Sequence, residues 1–232
     1  MIDAPFSNKS TISYGLIVFA KDTGRWAITQ RKHSIEFILY VRGCYRVTHL
    51  PFLLCNITQQ ECDQILNCVL SENYFKEFEK LYYSLDMDSR SFSYSFQRFR
   101  ETRELLPELL CNLDLSENQL QWTWPKGRLD VSDLCPLDCA KREFREEVEI
   151  ELPEPLFMSS SYFIDTFKSV ARRTIESRYW IYVIQREIPM TVPQNNPEVS
   201  NRLWADTEFC RSVLCNKQLF DFVIRIAESN KN

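Results

Sequence analysis

Trp124-Pro125-Lys126-Gly127-Arg128, followed by Pro136-Leu137-Asp138-Cys139-Ala140-Lys141-Arg142-Glu143-Phe144-Arg145-Glu146-Glu147-Val148, places a glycine at the end of a strand and three carboxylates on the helix after it. Pro136 suits the first helical turn, where a missing N–H costs nothing. Leu137, Ala140, Phe144 and Val148 recur at helical spacing as one apolar stripe. Glu143, Glu146 and Glu147 lie beside it at i, i+3 and i+4, so their side chains converge, and Arg142 is four residues before Glu146 and pairs with it. Two glutamates at i, i+4 repel by roughly 0.2–0.5 kcal/mol even in water. Glu147 also borders the apolar stripe, which raises the cost of its charge. Mg²⁺ or Mn²⁺, hard cations that prefer oxygen ligands, relieve this strain and bridge to substrate phosphates. The plain alternative is a solvated acidic helix with an Arg–Glu pair.

Outward from that helix, the chain reads as strands and helices in alternation. Ile12 to Ala20 is a buried strand, Asp22-Thr23-Gly24 its turn, and Trp26 to Arg31 the returning strand. Residues 1–44 carry six Lys/Arg against three Asp/Glu. Residues 45–118 change character and read as a helical insertion. Thr58 to Glu61 is a capping box, Ile65, Leu66, Val69 and Leu70 continue its helix, and Tyr74, Phe75, Phe78, Leu81 and Tyr82 follow at helical spacing. A third helix holds Phe96, Phe99 and Leu105, up to Pro107. A loop of this length needs structure of its own. Its seven Lys/Arg against twelve Asp/Glu make it acidic. After Gln121 come Ser160 to Phe167 and Ser177 to Gln185 as strands, a short strand at Leu203-Trp204, and an amphipathic helix from Lys217 to Ser229. The expected class is α/β, a mixed sheet between helices, with residues 1–44 and 119–232 forming one domain around the insertion.

Composition narrows the functions. At 232 residues and 44% hydrophobic, the chain buries a core and is not disordered. A net charge of −4 opposes a chain-wide nucleic-acid footprint, and no DNA partner is expected. Met1 to Ser10 lacks the apolar core of a signal peptide, and no apolar run reaches a membrane span. Nine scattered cysteines with no C-x-x-C pair, and only two histidines, suit free thiols in a reducing cytoplasm better than zinc or disulfides. Asn8-Lys9-Ser10 and Asn56-Ile57-Thr58 match glycosylation triplets, which mean nothing in that compartment.

The joined pattern of Gly127, Arg142, Glu143, Glu146, Glu147 and Ile150 resembles the Nudix hydrolase signature, G-x5-E-x7-R-E-U-x-E-E-x-G-U, with U a bulky aliphatic residue. The box spans residues 126–150. It departs from the signature in three places. The gap from Gly127 to Arg142 is one residue longer, Asp133 stands in for the first glutamate, and Glu149 replaces the late glycine. The resemblance implies a Nudix fold and a pyrophosphohydrolase. Its Mg²⁺ or Mn²⁺ would be held by Glu143, Glu146, Glu147, the Gly127 carbonyl and Asp133, and Arg142 would support the box. Glu143 and Glu147 would act in catalysis, with Glu198, in a proline-rich loop before a strand, as candidate general base.

The hairpin, the segment from Arg31 to Arg42-Gly43-Cys44-Tyr45 and the helical insert together look like the mRNA-decapping Nudix enzymes of large cytoplasmic DNA viruses, the poxvirus and African swine fever virus types. That likeness implies hydrolysis of the triphosphate bridge of capped mRNA in the host cytoplasm, releasing 7-methyl-GDP and 5′-monophosphate RNA. Cys44 replaces the lysine usual at that point. Lys126, Arg128, Arg42, Arg172 and Arg173 are candidate phosphate-facing cations, and Trp124, Tyr179 and Phe37 candidate partners for a methylated guanine, which stacks on rings. Arg90, Tyr94, Phe96, Arg98, Phe99, Arg100 and Arg103 form a basic and aromatic patch suited to single-stranded RNA; the alternative is a helix packing its aromatics inward. Two rival functions stand beside decapping. One is another substrate with the same metal cage, such as diphosphoinositol polyphosphates or nucleoside diphosphate derivatives. The other is a non-catalytic binding module, favoured by the altered spacing and by Asp133.

Overall fold

The computed structural model describes residues 11–168, 174–191, 193, 196–214 and 216–229. The chain divides into two compact units, Met1–Gln30 with Gln121–Asn232, and Arg31–Leu120.

The first unit is built on one sheet. Strand β1 (Thr11–Ala20) turns at Gly24 into β2 (Arg25–Arg31), pairing Phe19 with Trp26. On its other side β1 runs parallel to β7 (Thr174–Ile184), with Thr11 opposite Ile175 and Ala20 opposite Ile184. Two residues of β3 (Trp122–Thr123) extend β2, and β4 (Lys126–Gly127) pairs with β1, setting Tyr14 opposite Gly127. β5 (Phe157–Met158) and β6 (Phe163–Lys168) pair antiparallel with β7, and β8 (Val199–Ala205) pairs with β2.

The two-residue period of the strands decides which helix covers which face. Leu16, Val18, Trp180, Tyr182 and Ile184 point one way and meet Cys139, Ala140, Phe144 and Val148 of α7 (Pro136–Val148). Ile17, Phe19, Tyr179, Ile181 and Val183 point the other way and meet Phe220, Val223, Ile224 and Ala227 of α9 (Lys217–Ser229). Every one of these side chains is at least nine-tenths buried. Because both faces are covered, β1 and β7 read as nearly unbroken apolar runs rather than alternating ones. The short α8 (Thr207–Val213) is capped by Asp206, whose carboxylate accepts from the Phe209 N–H at 2.7 Å.

The second unit is helical: α1 (Ile35–Val41), α2 (Leu50–Leu54), α3 (Gln59–Leu70), α4 (Tyr74–Ser84), α5 (Phe92–Thr102) and α6 (Leu106–Cys111). It begins earlier than the expected residue 45. The reason is α1, which places Phe37, Tyr40 and Val41 in the helical core with Ile65, Phe78, Tyr82, Phe99 and Leu106. Pro107 does not end the third helix but opens α6, in a first turn where proline is tolerated. The capping box at Thr58 is present in full: Thr58 Oγ1 accepts from the Glu61 N–H at 3.3 Å, and Glu61 Oε2 accepts from the Thr58 N–H at 2.9 Å.

Candidate active site

Three elements of the sheet unit meet at the carboxylates: the β4 glycine, the solvent edge of α7 and the segment entering β8. Gly127 owes its identity to close approach. A Cβ there would lie 2.0 Å from Cδ of Glu143 and 2.1 Å from each of its carboxylate oxygens. The Glu143 carboxyl therefore rests in the space that a larger residue would fill. It is nine-tenths buried, and its pKa is raised. Burial is the main cause. The nearby Arg142 opposes it, and the negative charges of Glu146 and Glu198 reinforce it. That last contribution places Glu198 within electrostatic reach of Glu143, although they are far apart in sequence.

Arg142 is the hub. Its Nε and Nη2 bind the two oxygens of Asp133, each at 2.9 Å, as a fork. Nη1 lies 2.9 Å from Glu143 Oε1 and donates to Glu146 Oε2 at 2.9 Å, and Nη2 also donates to the Arg128 carbonyl at 3.0 Å. The guanidinium and the Asp130 N–H hold the Asp133 carboxyl down, at about 2. Asp133 was expected among the metal-facing oxygens. Here both its oxygens are committed to Arg142, so it braces the box arginine instead; the loop with the extra residue brings it back onto that side chain. Glu147, also buried, accepts from Thr29 Oγ1 of β2 at 3.1 Å. Sequence reading missed Thr29, because only the pairing of the sheet brings it beneath α7.

Residues 110–209 match the NUDIX domain family. The match covers 100 of the 232 residues and includes β4, α7 and β8. The mixed sheet between α7 and α9 is the Nudix fold, and the activity class is hydrolysis of phosphoric anhydride bonds. No curated protein matches the sequence. Among solved structures, a Caenorhabditis elegans Ap4A hydrolase in a binary complex is 11% identical, covering 94% of this chain and 96% of its own, with a TM-score of 0.46. The NUDIX domain of Shewanella oneidensis NrtR complexed with ADP ribose is 8% identical, covering 98% and 94%, with a TM-score of 0.47. A bifunctional NMN adenylyltransferase/ADP ribose pyrophosphatase from Francisella tularensis is 12% identical, covering 99% of this chain and 43% of its own, with a TM-score of 0.46. Likenesses this distant say nothing about substrate.

Nudix hydrolases use divalent metals, and the donor set suits one in kind: carboxylates and a carbonyl, all hard oxygen. As the side chains stand, no group of three or more His, Cys, Asp or Glu among the described residues is arranged to hold an ion. The physical reason is visible, since Glu143 and Glu146 are turned to Arg142 and Glu147 to Thr29. The Gly127 carbonyl takes a weak contact from the Cys139 thiol at 3.9 Å.

The end of the Nudix helix carries this chain's own departure. Glu149 sits in the left-handed region, φ 58° and ψ 37°, where the signature has glycine. A side chain there costs roughly 1–2 kcal/mol. Its carboxylate is held by Arg202 of β8, whose guanidinium is fully buried. Arg202 also donates to the Glu147 carbonyl at 3.3 Å and to the Thr191 carbonyl at 2.6 Å. Asn196 Nδ2 donates to the Glu146 carbonyl at 3.0 Å.

The other candidates divide. Lys126 donates to the Tyr179 hydroxyl at 2.9 Å, and Arg128 is exposed beside the box glycine. Trp124 and Tyr179 were expected to stack on substrate, yet they are 5% and 1% exposed. Trp124 packs edge-on against Trp26, with ring centres 6.1 Å apart, and close to Phe220 under α9; both residues belong to the core. Phe37 is likewise buried, in the helical core. Arg42 caps α1 in the helical unit. Arg172 and Arg173 lie outside the described residues, as does Asn8-Lys9-Ser10. The basic and aromatic patch is largely consumed by structure. Arg90 pairs with Asp88, and Arg98 pairs with Glu101. Arg103 donates to the Val69 carbonyl at 2.8 Å over the Tyr74 ring, while Phe99 is buried. No described helix is long and apolar enough to cross a membrane.

Proposed function

We propose that this chain is a divalent-metal-dependent Nudix pyrophosphohydrolase acting on capped RNA at its triphosphate bridge. The observation that carries the hydrolase reading is the Glu143 carboxyl, buried against Gly127 and held above its ordinary value. A carboxylate kept short of positive charge is a poor structural choice and a good cation ligand. Glu143, Glu146 and Glu147, with the Gly127 carbonyl, would hold Mg²⁺ or Mn²⁺. When bound, such an ion supplies neutralisation of bridge oxygens and a more acidic water.

The protein's own part is separate. Arg142 orients Glu143 and Glu146, Thr29 orients Glu147, and Lys126 and Arg128 present positive charge beside the box glycine. Glu198, exposed and close in charge to Glu143, takes the proton from the attacking water. Support for capped RNA comes from chain order: hairpin, helical unit and box follow one another as in the viral decapping enzymes. With the patch on α5 consumed, the RNA body has no assigned track.

The test is a substrate panel with Mg²⁺ or Mn²⁺: capped RNA, diphosphoinositol polyphosphate, diadenosine tetraphosphate and ADP-ribose. The expected result is release of 7-methyl-GDP from capped RNA, with free cap analogue cleaved poorly. Preferential cleavage of the inositol compound overturns the RNA assignment and keeps the hydrolase. Metal binding without turnover of any member favours a binding module.

A further inference from the structure

The segment carrying Glu198 is fastened to the end of α7 by side chains that the Nudix signature does not include. Asn196 works in two directions. Its Oδ1 accepts from the backbone N–H groups of Glu198 and Val199, both at 2.9 Å, which fixes the turn around Glu198. Its Nδ2 reaches back to the Glu146 carbonyl at 3.0 Å. Arg202 makes the second attachment. It donates to the Glu147 carbonyl at 3.3 Å, binds the Glu149 carboxylate, and holds Thr191, through its carbonyl at 2.6 Å and its Oγ1 at 3.1 Å.

Carbonyls in the last helical turn lack partners within the helix and are ordinarily met by water or a cap. Here the carbonyls of Glu146 and Glu147, two of the box carboxylate residues, are each met by a side chain from the Glu198 segment. An ordinary surface turn needs no such tether, since the two bonds to Asn196 Oδ1 already satisfy it. A fully buried arginine is also a costly device unless every donor is used and the position matters.

We propose that Asn196 and Arg202 are positioning residues, a two-point latch that holds Glu198 at the Glu146–Glu147 turn of α7 so that it meets the attacking water. This rests on the hydrolase reading above, with Glu198 as base. Glu149 belongs to the same device. Its left-handed conformation turns the chain out of the helix, and its carboxylate closes the bond to Arg202 where a glycine would leave the guanidinium short of an acceptor.

The decisive experiment is a double-mutant cycle between Asn196 and Glu198, read on capped RNA with Mg²⁺, or on the cleaved member of the panel if capped RNA is inert. Asn196→Ala is expected to lower kcat by about 10–100-fold, the usual effect of losing a supporting contact, with KM within about twofold of wild type. Asn196→Asp keeps the acceptor for the Glu198 turn but loses the donor to Glu146. It folds as wild type by circular dichroism and shows the same fall in kcat. In a Glu198→Gln background, Asn196→Ala costs nothing more, because it acts through a group already removed. Arg202→Lys keeps the charge without the fork and restores part of the rate lost in Arg202→Met.

Additive losses in the cycle, an unchanged kcat in Asn196→Asp, or an effect on KM alone overturns the latch. Wild-type turnover in Glu198→Gln overturns it too, together with the base assignment. The hydrolase reading is judged separately by Glu147→Gln: if that variant is dead while Asn196→Asp is fully active, only the latch falls.

Discussion

Glu61 and Glu143 are both buried glutamates on helices, one in each unit, and they are treated in opposite ways. Burial pushes Glu61 upward, but His33, the Thr58 N–H and the N–H and hydroxyl of Ser34 more than reverse it, leaving the carboxyl below its ordinary value. The Ser34 contacts are both 2.7 Å. Glu143 shares one arginine with two other carboxylates and stays above its ordinary value. The first carboxylate is fully served by its surroundings and knits α1 to α3. The second is under-served, and a site that leaves a buried charge wanting has a use for a cation. The contrast separates a carboxylate that joins two helices from the proposed cation ligand more sharply than burial does.

The largest effect that tests this contrast is expected from Glu147→Gln combined with Glu146→Gln. Its loss of turnover exceeds the roughly 10–100-fold cost of a supporting contact, and the melting curve is nearly unchanged. Steady-state kinetics beside thermal denaturation checks it; wild-type rates would end the metal-ligand assignment. Gly127→Ala comes next. Its methyl group must displace the Glu143 carboxyl, so activity falls about as far as in Glu143→Gln, and the overpacking costs about 1–3 kcal/mol of stability.

Glu61→Ala reverses the pattern. It leaves charged hydrogen bonds unmade, worth roughly 1.5–3 kcal/mol each, and weakens the helical unit while the rate per folded molecule holds. The two units can be followed separately, because Trp26, Trp122, Trp124, Trp180 and Trp204, all five tryptophans, lie in the sheet unit. In Glu61→Ala, helical circular dichroism is lost at lower urea while tryptophan fluorescence keeps its midpoint.

The smallest effect is in pH. A carboxyl whose folded pKa is depressed contributes stability that is present above its unfolded pKa and lost as pH falls through the folded one. Urea titration of the helical unit at pH 7 and in the acid range is expected to show a smaller acid loss in Glu61→Gln than in wild type.

Much of this was legible in the chain. Lys217 to Ser229 is helix α9 over the expected residues, since its apolar face repeats at helical spacing, and Pro136 opens α7 as its ring geometry demands. The box was readable because helical spacing alone brings Glu143, Glu146 and Glu147 together. What could not be read depends on tertiary pairing. Thr29, Asn196 and Arg202 reach α7 only through the sheet and carry no local signal. Trp124, Tyr179 and Phe37 were expected at the substrate because a methylated guanine stacks on aromatic rings. The strand period turns Tyr179 toward α9, Trp124 packs beside it against Trp26 and Phe220, and Phe37 lies in the helical core. Asp133 looked like a displaced ligand, and only the fold of its loop shows it gripping Arg142.

The long parallel ladder between β1 and β7 has a consequence for how the enzyme comes into being. Thr11 waits for Ile175, and between them the ribosome delivers the whole helical unit and the box helix. Contacts so remote in sequence form late. The helical unit, whose contacts are local, is complete before the partner strand of β1 leaves the exit tunnel. Until that strand arrives, neither face of the sheet has its full backing and the Glu198 segment has not been synthesised. A nascent chain that stops short of residue 174 therefore holds β1 without its parallel partner, and α9 is not yet there to cover the second face.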